Sequence, residues 1–246
     1  MKLLTLDIET SPNVAHIWGL FNQNVGLNQL MESTEVIGFA AKWYGQKKVE
    51  WYSNHHDGHD VMVGEAYRLL DEADVIVHYN GTSFDIKHLN REFATSGMTP
   101  PAPYAQVDLL RVVKARFRFS SNKLQHVSQS FGLAGKRGHE GHTLWVKCMA
   151  GDSKAWDDMR KYCIQDVRLT EQLYDCLLPW IPNHPNVNLI DGTDGPSCPN
   201  CGGSGFQRRG FQVALSGRYQ RLQCQGCGAW SRETTRESSV KVVGTK

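Results

Sequence analysis

Leu3-Leu4-Thr5-Leu6-Asp7-Ile8-Glu9-Thr10 is the stretch that decides how the rest of this chain is read. Its apolar run predicts a buried strand over residues 2–8. An ionised carboxylate on such a strand is costly unless something cationic offsets it. Side chains two apart on a strand share a face, so Asp7 and Glu9 point together while Ile8 enters the opposite layer. Strand-edge acids also occur without a ligand, but two on one face beside an apolar run read better as half of a cation cradle.

Two more segments supply acids. Asp85 ends Tyr79-Asn80-Gly81-Thr82-Ser83-Phe84-Asp85, where a loop opens a helix, and Asp166 ends Tyr162-Cys163-Ile164-Gln165-Asp166 on a strongly helical stretch. Residues four apart share a helix face, so Tyr162 and Asp166 can converge in front of the first strand. Hard oxygen ligands from separated segments suit Mg²⁺ or Mn²⁺, and two such ions stabilise the attacking and leaving oxygens of an in-line phosphoryl displacement. The implied chemistry is phosphodiester hydrolysis. Plainer readings exist: Thr82-x-x-Asp85 fits a capping box, Asp166 could face solvent, and Tyr162 could be an ordinary core residue. The four-residue offset between Tyr162 and Asp166 favours the site.

Asp7-x-Glu9, Asn80-x-x-x-Phe84-Asp85 and Tyr162-x-x-x-Asp166 resemble the Exo I, Exo II and Exo III motifs of the DEDDy 3′–5′ exonucleases in the ribonuclease H-like superfamily. The Tyr-Cys start of the third is similar to proofreading domains of family-B DNA polymerases and their stand-alone phage relatives. The resemblance spans residues 1–178 and implies an α/β fold with a mixed five-stranded sheet flanked by helices. It implies Asp7, Glu9, Asp85 and Asp166 as holders of two Mg²⁺ or Mn²⁺, and Asn80, Phe84 and the Thr10 backbone as neighbours of the terminal nucleotide. Tyr162 would orient or help deprotonate the attacking water with Glu9 nearby; a phenol of ordinary pKa ~10 is a poor base, so orientation is the better role.

Between the motifs, strands are expected at Val36 to Trp43, Val49 to Tyr52 and Val75 to His78, and a strand or short turn at Gln106 to Asp108. Helices are expected at Asp60 to Glu72, Phe84 to Thr95, Leu109 to Arg116 and Asn122 to Phe131, with a long one from Lys154 to about Leu178 capped by Ser153. His55, His56 and His59, like His139 and His142 beside Lys136 and Arg137, read as solvated loop residues. Four of the nine prolines (179, 182, 185, 196) mark a linker over 179–197.

Residues 198–230 form a second unit on Cys198-x-x-Cys201 and Cys224-x-x-Cys227, whose four thiolates suit one structural Zn²⁺. A disulfide reading is disfavoured by a reducing compartment. The intervening residues predict a hairpin turning at Ser216-Gly217, a zinc ribbon whose core is too small to fold without the metal. Arg208, Arg209, Arg218 and Arg221, interleaved with Phe206, Phe211, Tyr219 and Trp230, suit a nucleic-acid platform. The alternative places those aromatics, Phe211 and Trp230 above all, in the small core. Residues 231–246 lack periodicity and read as a flexible tail.

Charge is divided unevenly. Of 27 bases and 25 acids, eight bases and two acids fall from Cys198 onward, leaving an acidic body and a basic C-terminal part, as expected when the body holds cations and the tail meets nucleic acid. No apolar run is long enough for a membrane span and no signal-peptide pattern opens the chain, so a cytoplasmic protein, of a bacterium or a phage-infected cell, is expected. The resulting expectation is a metal-dependent 3′–5′ exonuclease on single-stranded or frayed DNA ends, working in replication, repair or degradation and proofreading for a DNA polymerase in trans. Its rivals are an exoribonuclease, a structure-selective endonuclease, and a non-catalytic nucleic-acid-binding or polymerase-recruiting module.

Overall fold

The computed structural model describes residues 1–135 and 140–243, so Lys136, Arg137 and His139 lie outside the described residues. The chain folds as two compact units, one of residues 2–174 and one of Met1 with residues 175–246.

The larger unit runs β1 (Leu3–Thr10), the short pair β2 (Val14–Ala15) and β3 (Leu30–Glu32), β4 (Val36–Trp43), β5 (Glu50–Ser53), α1 (His59–Glu72) and β6 (Val75–His78). It continues through α2 (Asp85–Thr95), β7 (Ala105–Asp108), α3 (Leu109–Arg116), α4 (Leu124–Ser130), α5 (His142–Met149) and α6 (Ser153–Leu177), whose last residues fall past the division. Five strands form one mixed sheet in the order β5-β4-β1-β6-β7, β1 pairing antiparallel with β4 and parallel with β6.

Alternation along β1 sorts its side chains between two layers. Leu4, Leu6 and Ile8 enter a core with Met62, Val63, Leu69 and Leu70 of α1 and Ile86, Leu89 and Phe93 of α2. Leu4 and Leu6 are fully buried, each contributing ~2 kcal/mol by leaving water. On the opposite side of the sheet Ala40, level with Asp7 in the β1–β4 register, packs on Cys163 and Val167 of α6. The strand therefore delivers its leucines to one helical layer and its acids to the other.

Several boundaries differ from the sequence reading for physical reasons. Ser153 begins α6 and does not cap it; the Asp152 carboxylate accepts the N–H groups of Lys154 (2.8 Å) and Ala155 (3.1 Å). His142 opens a helix, with no loop at that position. His55 and His56 are exposed as expected, whereas His59 is half-buried with Nε2 3.3 Å from the Glu92 carboxylate. Among the described residues no helix is long and apolar enough to cross a membrane.

In the smaller unit the proline-rich stretch contains a 3-10 turn at Leu178–Trp180 and α7 (Val187–Asp191). An antiparallel meander follows, β8 (Phe206–Ala214), β9 (Gly217–Cys224) and β10 (Trp230–Ser239), with β9 central. Ala214 pairs with Gly217, so the turn residues are Leu215 and Ser216, one position earlier than expected. Gly217 instead lies close against β10, where a Cβ would stand a tight 3.2 Å from the Ser238 carbonyl oxygen. β10 also runs through Ser239, where a tail is expected from sequence. Its residues are mostly exposed, and the hydrogen-bond ladder to β9 defines the strand where no apolar alternation could.

Candidate active site and metal centre

β6 pairs with β1 only as far as Thr5, and past that point an acid from the next segment meets the strand. Asp85 Oδ1 accepts the backbone N–H of Ile8 at 3.1 Å, landing between Asp7 and Glu9 along the chain. The helix that Asp85 opens has no side-chain cap, so the capping-box reading fails. Asp85 is 4% exposed and forms no ion pair with Lys or Arg among the described residues. Burial pushes its carboxyl up to about 6, against the pull of the Ile8 N–H and with help from the negative charge of Asp108. A carboxylate in that state gains from a nearby cation.

The other acids gather from β1 and α6. Glu9 and Asp166 are 7% and 2% exposed, and Asp7 is half-buried. A β-bulge follows Glu9, so that Glu9 stands opposite Gly38 and Thr10 opposite Val36. A Cβ on Gly38 would lie 2.7 Å from the Trp51 ring, so only glycine fits beside Glu9. Tyr162, half-buried and edge-on to Trp145 of α5, hydrogen-bonds Asp166 and feels the charges of Asp166, Glu9 and Asp7. Burial first, and those three acids next, push the phenol well above its ordinary value. It therefore stays protonated and can donate a hydrogen bond but cannot serve as a base.

Cys163, which follows Tyr162, reads from sequence as a buried structural thiol, and it is buried, but its place beside the acids was not foreseen. Its buried Sγ lies 3.6 Å from Asp7 Oδ2 and 3.5 Å from the Asp7 carbonyl, and its sulfur and the acids Asp7 and Glu9 offer ligand atoms all within 4.8 Å of one another. Burial and the adjacent acids raise its thiol far above the ordinary range, so it serves as a weak donor to Asp7. Asp108 was also missed. Its Oδ1 accepts the N–H of Asn80 (3.0 Å) while capping α3, and Asn80 sits at φ 76°. His78, kept neutral by burial, accepts the Gly81 N–H at 3.0 Å, and a Cβ on Gly81 would strike its ring at 2.4 Å. These contacts fix the loop that presents Asn80 and Phe84. Phe84 is 40% exposed beside His88, and Thr10 is half-buried at the strand end.

Tyr162 thus stands among the charges of Asp7, Glu9 and Asp166, and Asp85 reaches the same strand through the Ile8 N–H; carboxylates of this kind suit hard divalent cations. The second constellation is chemically opposite. Cys198, Cys201, Cys224 and Cys227 place their sulfurs within 4.8 Å of one another, with 3.7 Å between Cys198 and Cys227 and 3.6 Å between Cys201 and Cys224. The edge of a tetrahedron with Zn–S bonds of ~2.3 Å is ~3.8 Å, so the four thiols fit one zinc ion. Burial pushes the Cys224 thiol up, but the N–H groups of Cys227 and Gly226 and the neighbouring thiols bring it down to about 7.

The ribbon's aromatics divide between core and surface. Phe206 packs with Cys198, Cys224 and Ala229, whereas Phe211 and Trp230 are 37% and 48% exposed, which corrects their placement in the core. Arg218 lies over Phe211 at 4.2 Å, and Trp230 is flanked by Arg221 at 4.9 Å and Arg209 at 5.7 Å. Arg208 and Arg218 pair with Glu233 (3.0 Å) and Glu237 (3.5 Å).

A family model described as the RNase_H superfamily matches residues 24–178, more than half of the chain; the segment bearing Asp7 and Glu9 precedes the match. No curated protein matches the chain. Among solved structures, that of the family B DNA polymerase from the hyperthermophilic archaeon Pyrobaculum calidifontis is similar, with a TM-score of 0.54 and 20% identity over 72% of this chain. The chain spans 24% of that polymerase, and the likeness is one of fold. The mixed sheet with its antiparallel β4–β1 and parallel β1–β6 neighbours and the matching family model lead to one statement: this chain belongs to the RNase_H superfamily.

Proposed function

We propose that the protein is a metal-dependent 3′–5′ exonuclease that hydrolyses phosphodiester bonds at single-stranded or frayed DNA 3′ ends. The observation that carries this reading is the Ile8 N–H bond to Asp85, which sets a buried carboxylate from α2 against the strand bearing Asp7 and Glu9 while Tyr162 and Asp166 approach from α6. Superfamily membership and the fold shared with part of a family B DNA polymerase agree with nuclease chemistry.

Asp7, Glu9, Asp85 and Asp166 would hold two Mg²⁺ or Mn²⁺, which supply charge neutralisation at the attacking and leaving oxygens. Tyr162 keeps its proton and directs its hydroxyl, positioning the attacking water with Glu9 as a neighbouring acceptor. Cys163 steadies the Asp7 carboxylate, and Asp108 steadies the backbone that offers Asn80 and Phe84 to the terminal nucleotide. Zinc held by Cys198, Cys201, Cys224 and Cys227 would stabilise the ribbon, whose Arg209, Arg221 and Trp230 stack suits nucleic-acid contact.

Digestion of 3′- and 5′-labelled DNA and RNA, linear and circular, with and without Mg²⁺ tests the reading in one experiment. Release of mononucleotides from the 3′ end of linear DNA alone is expected. Cutting of circles would replace it with an endonuclease, preference for RNA with an exoribonuclease, and binding without any product with a non-catalytic module.

A further inference from the structure

Between Thr10 and Val36 the chain leaves the sheet and returns to it as a built arm. Its root is cinched beside Glu9: Thr10 pairs with Val36, the Ser11 N–H donates to the Glu35 carbonyl at 2.9 Å, and Thr34 Oγ1 donates to the Ser11 carbonyl at 2.6 Å. Further out, β2 pairs with β3, the His16 N–H donates to the Gln29 carbonyl at 2.9 Å, and Gln29 Nε2 returns a bond to the His16 carbonyl. An arm with this internal bonding keeps its largest apolar groups outside. Trp18 is 99% exposed, Phe21 84%, Leu20 81% and Leu27 89%. Burying those groups would contribute several kcal/mol, which the isolated chain forgoes.

The composition of the arm narrows what covers it. From Thr10 to Met31 there is no Asp, Glu, Lys or Arg. A surface without cations has nothing with which to grip phosphates, and the one acid of residues 12–33, Glu32, pairs back with Val14 toward the root. Exposed rings beside exposed amides, here Asn22, Gln23 and Asn28, match the π-faces and hydrogen-bonding edges of unpaired bases. Continuity with the carboxylate site supplies the rest, because the arm springs from the residue after Glu9. We infer that residues 12–33 form a base-stacking arm for single-stranded nucleic acid, with Trp18 and Phe21 as its platforms, feeding the strand to the site at its root. The inference rests on the nuclease reading for the direction of feeding, though binding itself does not require catalysis.

The test is equilibrium binding of the full-length protein to a labelled oligothymidylate and to an abasic strand of equal length. It is run over a series of salt concentrations, without added divalent ions or chelator so that the ribbon is left undisturbed. Trp18→Ala and Phe21→Ala should each weaken oligothymidylate binding ~10-fold, leave the salt dependence unchanged and leave the abasic strand unaffected, while Trp18→Phe retains most of the affinity. Unaltered melting temperatures would establish that the variants fold. Equal affinity of wild type and both alanine variants overturns the inference. So does a loss shared by base-bearing and abasic strands, or a wild-type dimer that Trp18→Ala converts to a monomer with binding intact, since a second copy would then cover the arm. Ring-dependent binding without Mg²⁺-dependent nucleotide release would remove the nuclease reading and keep the arm; release with ring-independent binding would do the reverse.

Discussion

The sheet unit and the ribbon assemble their candidate ligand groups in opposite ways. The sheet unit draws carboxylates from β1, α2 and α6 and has, in the opposite layer, a core of Leu4, Leu6, Leu69, Leu89 and their neighbours. The ribbon draws four sulfurs from two short knuckles, and its small core consists of Cys198, Cys224 and Cys227 with Ala229 and Phe206, Cys201 being exposed. On the proposed reading, the first gathers negative charge that cations would relieve, and in the second a zinc ion would take the place of a core. Four experiments bear on this contrast.

The largest effect is expected from the ribbon. Cys224→Ser should forfeit zinc binding free energy of order ~10 kcal/mol, seen as loss of amide protection from Phe206 to Ser239 in hydrogen exchange while residues 2–174 keep theirs. A protected meander in that variant would show that the strands suffice without metal.

Asp7→Ala or Asp166→Ala should lower nucleotide release by ~10³-fold or more, about 4 kcal/mol of transition-state stabilisation, with an unchanged melting transition of the sheet unit. A large fall in stability would mean that these acids support the fold, which would erase the distinction between the two regions.

Asp85 offers a test through pH. Its carboxyl is raised in the native state from 3.8 to about 6, so the folded protein retains a proton that the unfolded chain has released in this interval. The contribution of this group to stability is complete below about pH 4 and is lost as pH rises through about 6, amounting to ~3 kcal/mol at ~1.4 kcal/mol per unit. Thermal melts of the metal-free protein should show the loss in wild type and not in Asp85→Asn. Added Mg²⁺ above about pH 7 should restore the wild type alone.

The smallest change is reserved for Tyr162→Phe, which keeps the ring against Trp145 and removes only the hydroxyl. Turnover should fall ~10-fold with KM unmoved if the phenol orients a group in the transition state. A matching rise in KM would reassign it to substrate binding.

Much of this contrast is legible in the sequence where periodicity or spacing carries it. The alternation of Leu4, Leu6 and Ile8 with Asp7 and Glu9 predicts both layers around β1, and the paired C-x2-C knuckles predict the thiol cluster. Asp85 is ambiguous between a cap and a ligand until the end of the β1–β6 pairing shows where its oxygen goes. Asp108 and His78 act on the Asn80 loop across strand neighbours, a relation that no local pattern encodes. The arm after Thr10 has neither helical nor strand period, so its internal bonding is invisible to pattern reading. Phe211 and Trp230 look like core because aromatics usually are, yet the ribbon interior is filled by sulfur and Phe206.

The sequence separations of the contacts described above also imply an order of assembly. The Cys201–Cys224 and Cys198–Cys227 approaches close loops of 23 and 29 residues, whereas Asp85 to Ile8 spans 77 and Cys163 to Asp7 spans 156. Loop-closure entropy and folding time both rise with separation. The ribbon can therefore reach its native contacts from a local search, while the carboxylate cluster must wait until β1 has been joined by partners from both α2 and α6. A chain caught midway in folding holds its acids apart, so any cutting activity would appear together with the finished sheet and not before it.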